Sequence, residues 1–465
     1  MDAQGMDEAR RCLARGGHVH LMGVGGVGVA GLAHLLIGRG CRVSGCDLEL
    51  NRCAQSVAAA GGRILAGHDP SHLVPPPDWL ICSAAVPAEQ PEAAAARAAG
   101  IPVSRRGEAL AAFSAETPCV AVCGTHGKTT TTAMLVQMFR HAGLDPSFAI
   151  GAEVDALGGV AAVGASPWLV VEADESDGTL ALYTPEVAVV TNVDLDHLEH
   201  FRDLAEFHGV FETLVRRARR VVCYGRDDPA ATRIAGGAGH AIGFGLDRPA
   251  DVRGLRRRPE GIGQTFEVEL FGRPIGRVRL PAPGAHNARN ALGALAAAVA
   301  CGLDPATAMA ALEGFRAARR RLEIRVQRPD LRVVSDYAHH PAEIRALLDA
   351  VREGLAPSGL WMAFQPHRYT RTRALLREFP PAFQGVERLW LAPVYAASEP
   401  PLPGGSSKDL LEEFHRQGHR GVRLAADLED LWVRLLEERR PGDLILLVGA
   451  GDIDRLADRA AAEWG

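Results

Sequence analysis

Gly124-Thr125-His126-Gly127-Lys128-Thr129-Thr130 sets two glycines, one lysine and three hydroxyls directly behind the apolar run Cys119-Val120-Ala121-Val122-Cys123. Lys128 and Lys408 are the only lysines among 51 basic residues, in a chain that otherwise uses arginine. A lysine ammonium is a compact charge on a flexible stem, whereas a guanidinium is a wide planar fork that crowds a glycine turn. Backbone N–H groups of such a turn, opening a helix, make an anion cradle. In this reading Lys128 meets the outer phosphates of a nucleoside triphosphate and Thr129 supplies a hydroxyl to Mg²⁺. The turn is shorter than G-x-x-x-x-G-K-[ST], because Val122 stands where the first glycine belongs.

Further polar groups follow other strand-like runs. Glu172-Ala173-Asp174-Glu175-Ser176-Asp177 places four carboxylates behind the stretch from Trp168, and hard oxygen ligands of this kind suit Mg²⁺. Thr191-Asn192-Val193-Asp194-Leu195-Asp196-His197 ends the next run, and there Asp196 and His197 are candidates for a second metal or for the γ-phosphate. Nearer the amino terminus, Gly23-Val24-Gly25-Gly26-Val27-Gly28 also follows a strand and opens a helix, with Asp47 19 residues beyond Gly28. That satisfies much of the dinucleotide fingerprint, with Asp47 on a ribose hydroxyl, and leaves an NAD-dependent oxidoreductase open on these residues alone. Two more polar strings, Asp336-Tyr337-Ala338-His339-His340-Pro341 and Gln365-Pro366-His367-Arg368-Tyr369-Thr370-Arg371, suit holding a carboxylate and orienting an amine.

These residues must be positioned by strands that end together. The spacing predicts an α/β protein of three blocks, bounded at 1–107, 108–317 and 318–465: two doubly wound, Rossmann-like sheets flanking a central parallel sheet with a small antiparallel patch near 240–280. The chain has 465 residues, 47% of them hydrophobic and 23% charged, a net charge of -5 and a pI near 6.4, values that suit a soluble protein and give no push toward nucleic acid or an anionic membrane. Nine scattered cysteines without a C-x-x-C pair fit reduced thiols in a cytosol. The first twenty residues are too polar for a secretory signal. The apolar run Leu21 to Ile37, broken by five glycines and His34, reads as a glycine turn and a buried helix rather than a bilayer span.

Taken in order, G-T-H-G-K-T-T-T-T at 124–132, E-A-D-E-S-D at 172–177, T-N-V-D-L-D-H-L-E at 191–199, H-N-A-R-N-A at 286–291, D-Y-A-H-H-P at 336–341 and F-Q-P-H-R-Y-T-R-T at 364–372 resemble the Mur ligases, from about residue 18 to the end. The resemblance implies an ATP-dependent acid–amino-acid ligase of the cytoplasm, with a UDP-sugar domain, an ATPase domain and a carboxy-terminal domain that closes over both. It implies a UDP-sugar site at Gly23, Gly25, Gly26, Val27, Gly28, Asp47 and Ser83, and ATP on Gly124, Thr125, His126, Gly127, Lys128, Thr129 and Thr130. His286, Asn287 and Asn290 would lie near adenine, Asp336 at the ribose, and Arg320 or Arg321 at the phosphates. Tyr337, His339, Arg368 and Arg371 would surround the amino acid and the acceptor. Thr129 and Glu172 would hold one Mg²⁺ and His197 a second. Within the family the likeness leans to the branch joining L-alanine to UDP-N-acetylmuramate, in peptidoglycan precursor synthesis, with a peptide-adding relative as the alternative. Several members carry a carbamylated lysine at the second metal; here no lysine lies between Lys128 and Lys408. Ser335 and Leu322 depart from the family pattern.

Overall fold

The structure is a computed structural model that describes residues 9, 11–87, 89–194, 201–397 and 399–465. It contains three sheets, each with helices packed against it. The amino-terminal sheet is fully parallel, in the order Arg63–Ala66, Arg42–Asp47, His18–Met22, Trp79–Cys82, Val103–Arg105. Its first strand lies in the middle, so the turn after Met22 opens at the carboxyl edge of the sheet, where open α/β sheets hold ligands.

The central sheet has ten strands in the order Arg273–Leu280, Gly263–Leu270, Val252–Glu260, Ala241–Gly245, Val221–Gly225, Val187–Val190, Cys119–Cys123, Leu169–Glu172, Ser147–Val154, Gly159–Ala162. Strands from Ala241–Gly245 through Ser147–Val154 run parallel, and Gly159–Ala162 turns back antiparallel at one edge. At the other edge, the links at 261–262 and 271–272 are two residues long, and links so short join only antiparallel neighbours. This is the patch expected near 240–280. The hairpin Ser147–Val154 with Gly159–Ala162 was not expected, because its glycines and small residues give little strand pattern. The third sheet, Glu323–Arg328, Leu331–Asp336, Asp443–Val448, Gly359–Phe364, Arg388–Leu391, Val422–Leu424, is parallel apart from its first strand.

By packing, the described chain forms two compact units: residues 1–257, 266–280 and 287–316, and residues 258–265, 281–286 and 317–465. In the first unit the helix Val27–Gly38 is covered on two sides, by its own sheet and by the strands Ser147–Val154 and Gly159–Ala162. That double covering is why the run Leu21 to Ile37 is apolar nearly all round. Small residues permit the approach: a Cβ on Gly31 would sit 3.6 Å from Ala161, and one on Gly38 would collide with Val163. No helix among the described residues is long and apolar enough to cross a membrane. All nine cysteines are free thiols.

Candidate active site

Three adjacent strands of the central sheet, Val187–Val190, Cys119–Cys123 and Leu169–Glu172, end side by side and deliver three loops to one place. The middle loop is the lysine turn. Gly124 at φ +124° and Gly127 at φ +82° hold conformations that favour glycine, and Gly127 caps the helix Lys128–His141. Space is as restrictive as φ, since a Cβ on Gly124 would collide with Thr191 and one on Gly127 with Asn290. The Val187–Val190 side pins the turn. The His126 N–H donates to Asn192 Oδ1 (2.9 Å), Asn192 Nδ2 and Thr191 Oγ1 donate to the His126 carbonyl (2.9 and 2.7 Å), and the Asp194 N–H donates to Thr125 Oγ1 (2.9 Å). Thus the neutral amide of Asn192 orders the loop without adding charge to it.

The Leu169–Glu172 side supplies the charge. Lys128 Nζ donates to Glu175 Oε1 at 2.9 Å and to the carbonyls of Gly124 (2.7 Å) and Thr125 (3.2 Å). Its side chain is 15% exposed and that of Glu175 is 0% exposed, so this is a desolvated pair. Burial alone would lower the lysine pKa, but Glu175, with Asp174 and Glu172 behind it, raises it, and the ammonium stays charged. Thr129 Oγ1 donates to Glu172 Oε1 (3.1 Å), and Glu172 Oε2 accepts the Gly151 N–H (2.7 Å). A hydroxyl and a carboxylate in contact beside an anion cradle are the hard oxygen donors that Mg²⁺ takes.

In the amino-terminal sheet the glycine turn carries the opposite charge. The Gly25 N–H donates to Asp47 Oδ2 (2.8 Å), and Asn51 Nδ2 donates to the Gly25 carbonyl (3.0 Å). Ser83, directly after Trp79–Cys82, borders the turn, and a Cβ on Gly23 would stand 2.6 Å from its Cβ. A Cβ on Gly28 would meet the Arg106 guanidinium at 3.2 Å, and Arg106 Nη2 donates to Asp174 Oδ2 at 3.4 Å. Arg106 therefore stands between the first glycine turn and the acidic run of the central sheet.

The second unit gathers a cationic and aromatic group at its own strand ends. Arg320 and Arg321 stack over the Tyr337 ring, at 4.8 and 5.3 Å from its centroid. The rings of Tyr337 and His339 meet edge to face at 5.6 Å, His367 stacks on Tyr395 at 5.7 Å, and Arg371 Nη1 approaches His367 Nδ1 to 3.2 Å. Burial, then the neighbouring His339, Arg371, Arg368 and Arg320, lower the His367 pKa to about 3, so its imidazole is neutral at neutral pH. Arg368 holds φ +66° and Arg320 φ +59°, left-handed conformations uncommon for side-chain-bearing residues and frequent at functional sites. Asp336 is buried; Oδ2 accepts from the Leu322 N–H (2.7 Å) and Oδ1 from the Ala338 N–H (2.8 Å), so it shapes the loop that presents Tyr337.

Family profiles match in sequence along the chain: the Mur ligase family catalytic domain over residues 18–117, the Mur ligase middle domain over 122–298, and the Mur ligase glutamate ligase domain over 320–451. The chain belongs to the Mur ligase family. It is 41% identical, over 94% of its own length and 93% of the relative's, to a UDP-N-acetylmuramate–L-alanine ligase of Acidothermus cellulolyticus. Among solved structures it is similar to the UDP-N-acetylmuramate–alanine ligase of Thermotoga maritima, with TM-score 0.83, 28% identity, and coverage of 96% of this chain and 99% of that one. A murein peptide ligase from Psychrobacter arcticus shares the fold, with TM-score 0.74 at 23% identity over 97% and 99% of the two chains.

Within this Mur ligase, the first unit brings together Gly124 to Thr130, Glu172, Asn287 and Asn290, the last two linked by a 3.5 Å hydrogen bond. His286 is grouped by packing with the second unit, as are Arg321, Asp336, Tyr337, His339, Arg368 and Arg371. Asp196 and His197 lie outside the described residues. Sequence reasoning passed over Glu175 as the lysine's partner, Asn192 as the loop's brace, Arg106, and the His367–Tyr395 stack. Glu175 and Asn192 occur in strings that were already singled out; what the sequence lacked was which member of each string turns inward. Arg106 follows a three-residue strand, Val103–Arg105, too short to flag by pattern.

Proposed function

We propose that this chain joins L-alanine to the lactyl carboxylate of UDP-N-acetylmuramate at the expense of ATP, giving UDP-N-acetylmuramoyl-L-alanine, ADP and phosphate. The observation that carries it is the Lys128 clamp between Glu175 and the glycine turn, in a chain similar over nearly its full length to ligases of that name. The carboxylate attacks the γ-phosphate to give an acyl phosphate and ADP; the alanine amine then attacks the acyl carbon and phosphate leaves as the amide forms. Every species on this path is anionic, so catalysis is chiefly positioning and charge stabilisation. Lys128 and the N–H groups of Gly124 to Thr130 receive the phosphates. Thr129 and Glu172 would hold Mg²⁺, which would screen the negative charge of the phosphates. His197 is the candidate for a second ion.

Residues 1–107 bind the UDP-sugar, with Gly23, Gly25, Gly26, Val27, Gly28, Asp47 and Ser83 about the diphosphate and ribose. Residues 108–317 hold ATP, and Asn287 and Asn290 serve its adenine end. Residues 318–465 contribute Arg321 and Asp336 toward the nucleotide. They also place Tyr337, His339, Arg368 and Arg371 around the acceptor carboxylate and alanine, where a neutral His367 among cations leaves the field positive for an anion. Free thiols and a cytoplasmic pool of all three substrates fit together. Incubation with ATP, Mg²⁺ and UDP-N-acetylmuramate, with L-alanine or a cell-wall tripeptide in turn, tests this reading. Phosphate release that depends on L-alanine supports it; release with the tripeptide alone assigns the peptide-adding branch.

A further inference from the structure

A second group of ligand atoms lies in the amino-terminal sheet, apart from the glycine turn. On the face that carries Met22, Cys46 and Leu80, beneath the helix Pro91–Ala98, four side chains converge. Glu92, in the first turn of that helix, is fully buried. Its Oε1 lies 2.8 Å from His20 Nε2 and 3.4 Å from His72 Nδ1, and its Oε2 lies 3.3 Å from Cys46 Sγ. One ligand atom from each of His20, Cys46, His72 and Glu92 falls within 4.8 Å of every other.

An ordinary buried hydrogen-bond network would also bring such groups together, but the imidazoles argue against it. His20 Nε2 and His72 Nδ1 are both buried and make no hydrogen bond, although a carboxylate oxygen is close to each. Their in-plane directions therefore pass the carboxylate rather than meet it. Ligands of one tetrahedral zinc aim at the ion, and at bonds of about 2.0–2.3 Å they stand roughly 3.3–3.6 Å apart; the Glu92–His72 and Glu92–Cys46 separations of 3.4 and 3.3 Å match this, and the 2.8 Å between Glu92 and His20 is shorter. Supporting contacts of the usual kind are in place. Ser44 Oγ holds His20 Nδ1 at 2.8 Å, which leaves Nε2 to face the cluster, and the Asp69 N–H donates to Glu92 Oε2 at 3.0 Å.

We infer that His20, Cys46, His72 and Glu92 form a zinc-binding site that is structural, with four protein ligands and no place for substrate. It would tie the strands His18–Met22 and Arg42–Asp47 to the turn Pro70–Leu73 and the helix Pro91–Ala98. Binding takes Cys46 as the thiolate and releases its proton to solvent.

Untagged full-length protein, stripped of metal and titrated with Co²⁺, tests the inference. The expected result is one equivalent bound with a thiolate-to-cobalt charge-transfer band and tetrahedral visible bands, both displaced by Zn²⁺. Cys46→Ser abolishes the charge-transfer band, and Zn²⁺ raises the melting temperature of the wild type but not of His72→Gln. Magnesium sites contribute no sulfur and cannot mimic this spectrum. An octahedral, sulfur-free cobalt spectrum with no zinc-dependent melting shift in the wild type overturns the inference, and that readout needs no variant to fold.

Discussion

The two glycine turns of the first unit share one plan and differ in charge. Each follows an interior strand that pairs in parallel with both of its neighbours, and each opens a helix. In the turn at 23–28 a carboxylate, Asp47, accepts the Gly25 N–H, and the helix cap Gly26 sits at an ordinary extended φ of -76°. In the turn at 124–129 a neutral amide, Asn192, takes the corresponding role, the cap Gly127 sits at φ +82°, and a lysine stands inside. A carboxylate at the turn suits hydroxyl donors such as those of a ribose; a buried ammonium suits a triphosphate whose charge changes during reaction. In the function proposed above, one scaffold would serve binding in one place and phosphoryl transfer in the other, with the side chain that braces the turn setting which.

Exchanging the lysine for arginine is the severest way to break this contrast. Lys128→Arg is expected to lower alanine-dependent phosphate release by at least about 100-fold, the scale on which removing one preorganised charge donor acts, while UDP-sugar binding measured by calorimetry stays unchanged. Retention of a tenth of the activity would show that charge alone suffices. Next in size, Glu175→Gln leaves a buried ammonium with only carbonyl partners, and denaturant unfolding is expected to show a loss of about 3 kcal/mol, as for broken buried ion pairs. The two caps then sharpen the comparison: Gly127→Ala costs about 1–3 kcal/mol for its left-handed backbone and weakens ATP, whereas Gly26→Ala, with only the Gly23 carbonyl near at 3.3 Å, changes stability by less than about 1 kcal/mol. Asp47→Asn is expected to raise the KM for the UDP-sugar about tenfold, or about 1.4 kcal/mol, with the KM for ATP unmoved. Equal rises in both would erase the distinction between the turns.

Much of this contrast was legible in the sequence. Runs such as Cys119 to Cys123 and Val187 to Val190 are apolar on both faces, so their strand character and the polar residues at their ends stand out. Edge strands were harder. Arg63–Ala66 and Glu323–Arg328 are half solvated, and the second reads E-I-R-V-Q-R with little to separate it from a loop. Within the site, residue type announced Lys128, Thr129 and Glu172. It could not announce that Glu175 rather than Asp174 turns inward to the ammonium, because adjacent carboxylates differ only in which way the backbone after Glu172 leads them. Nor could it reveal that Asp336 spends both oxygens on backbone N–H groups.

The central claim is that the acceptor carboxylate itself attacks the phosphate held at Lys128. Labelling the lactyl carboxylate of UDP-N-acetylmuramate with ¹⁸O and following phosphate by mass spectrometry tests it most directly. The account predicts one labelled oxygen in the phosphate released for each alanine joined. Alanine-dependent phosphate that carries no label would contradict it.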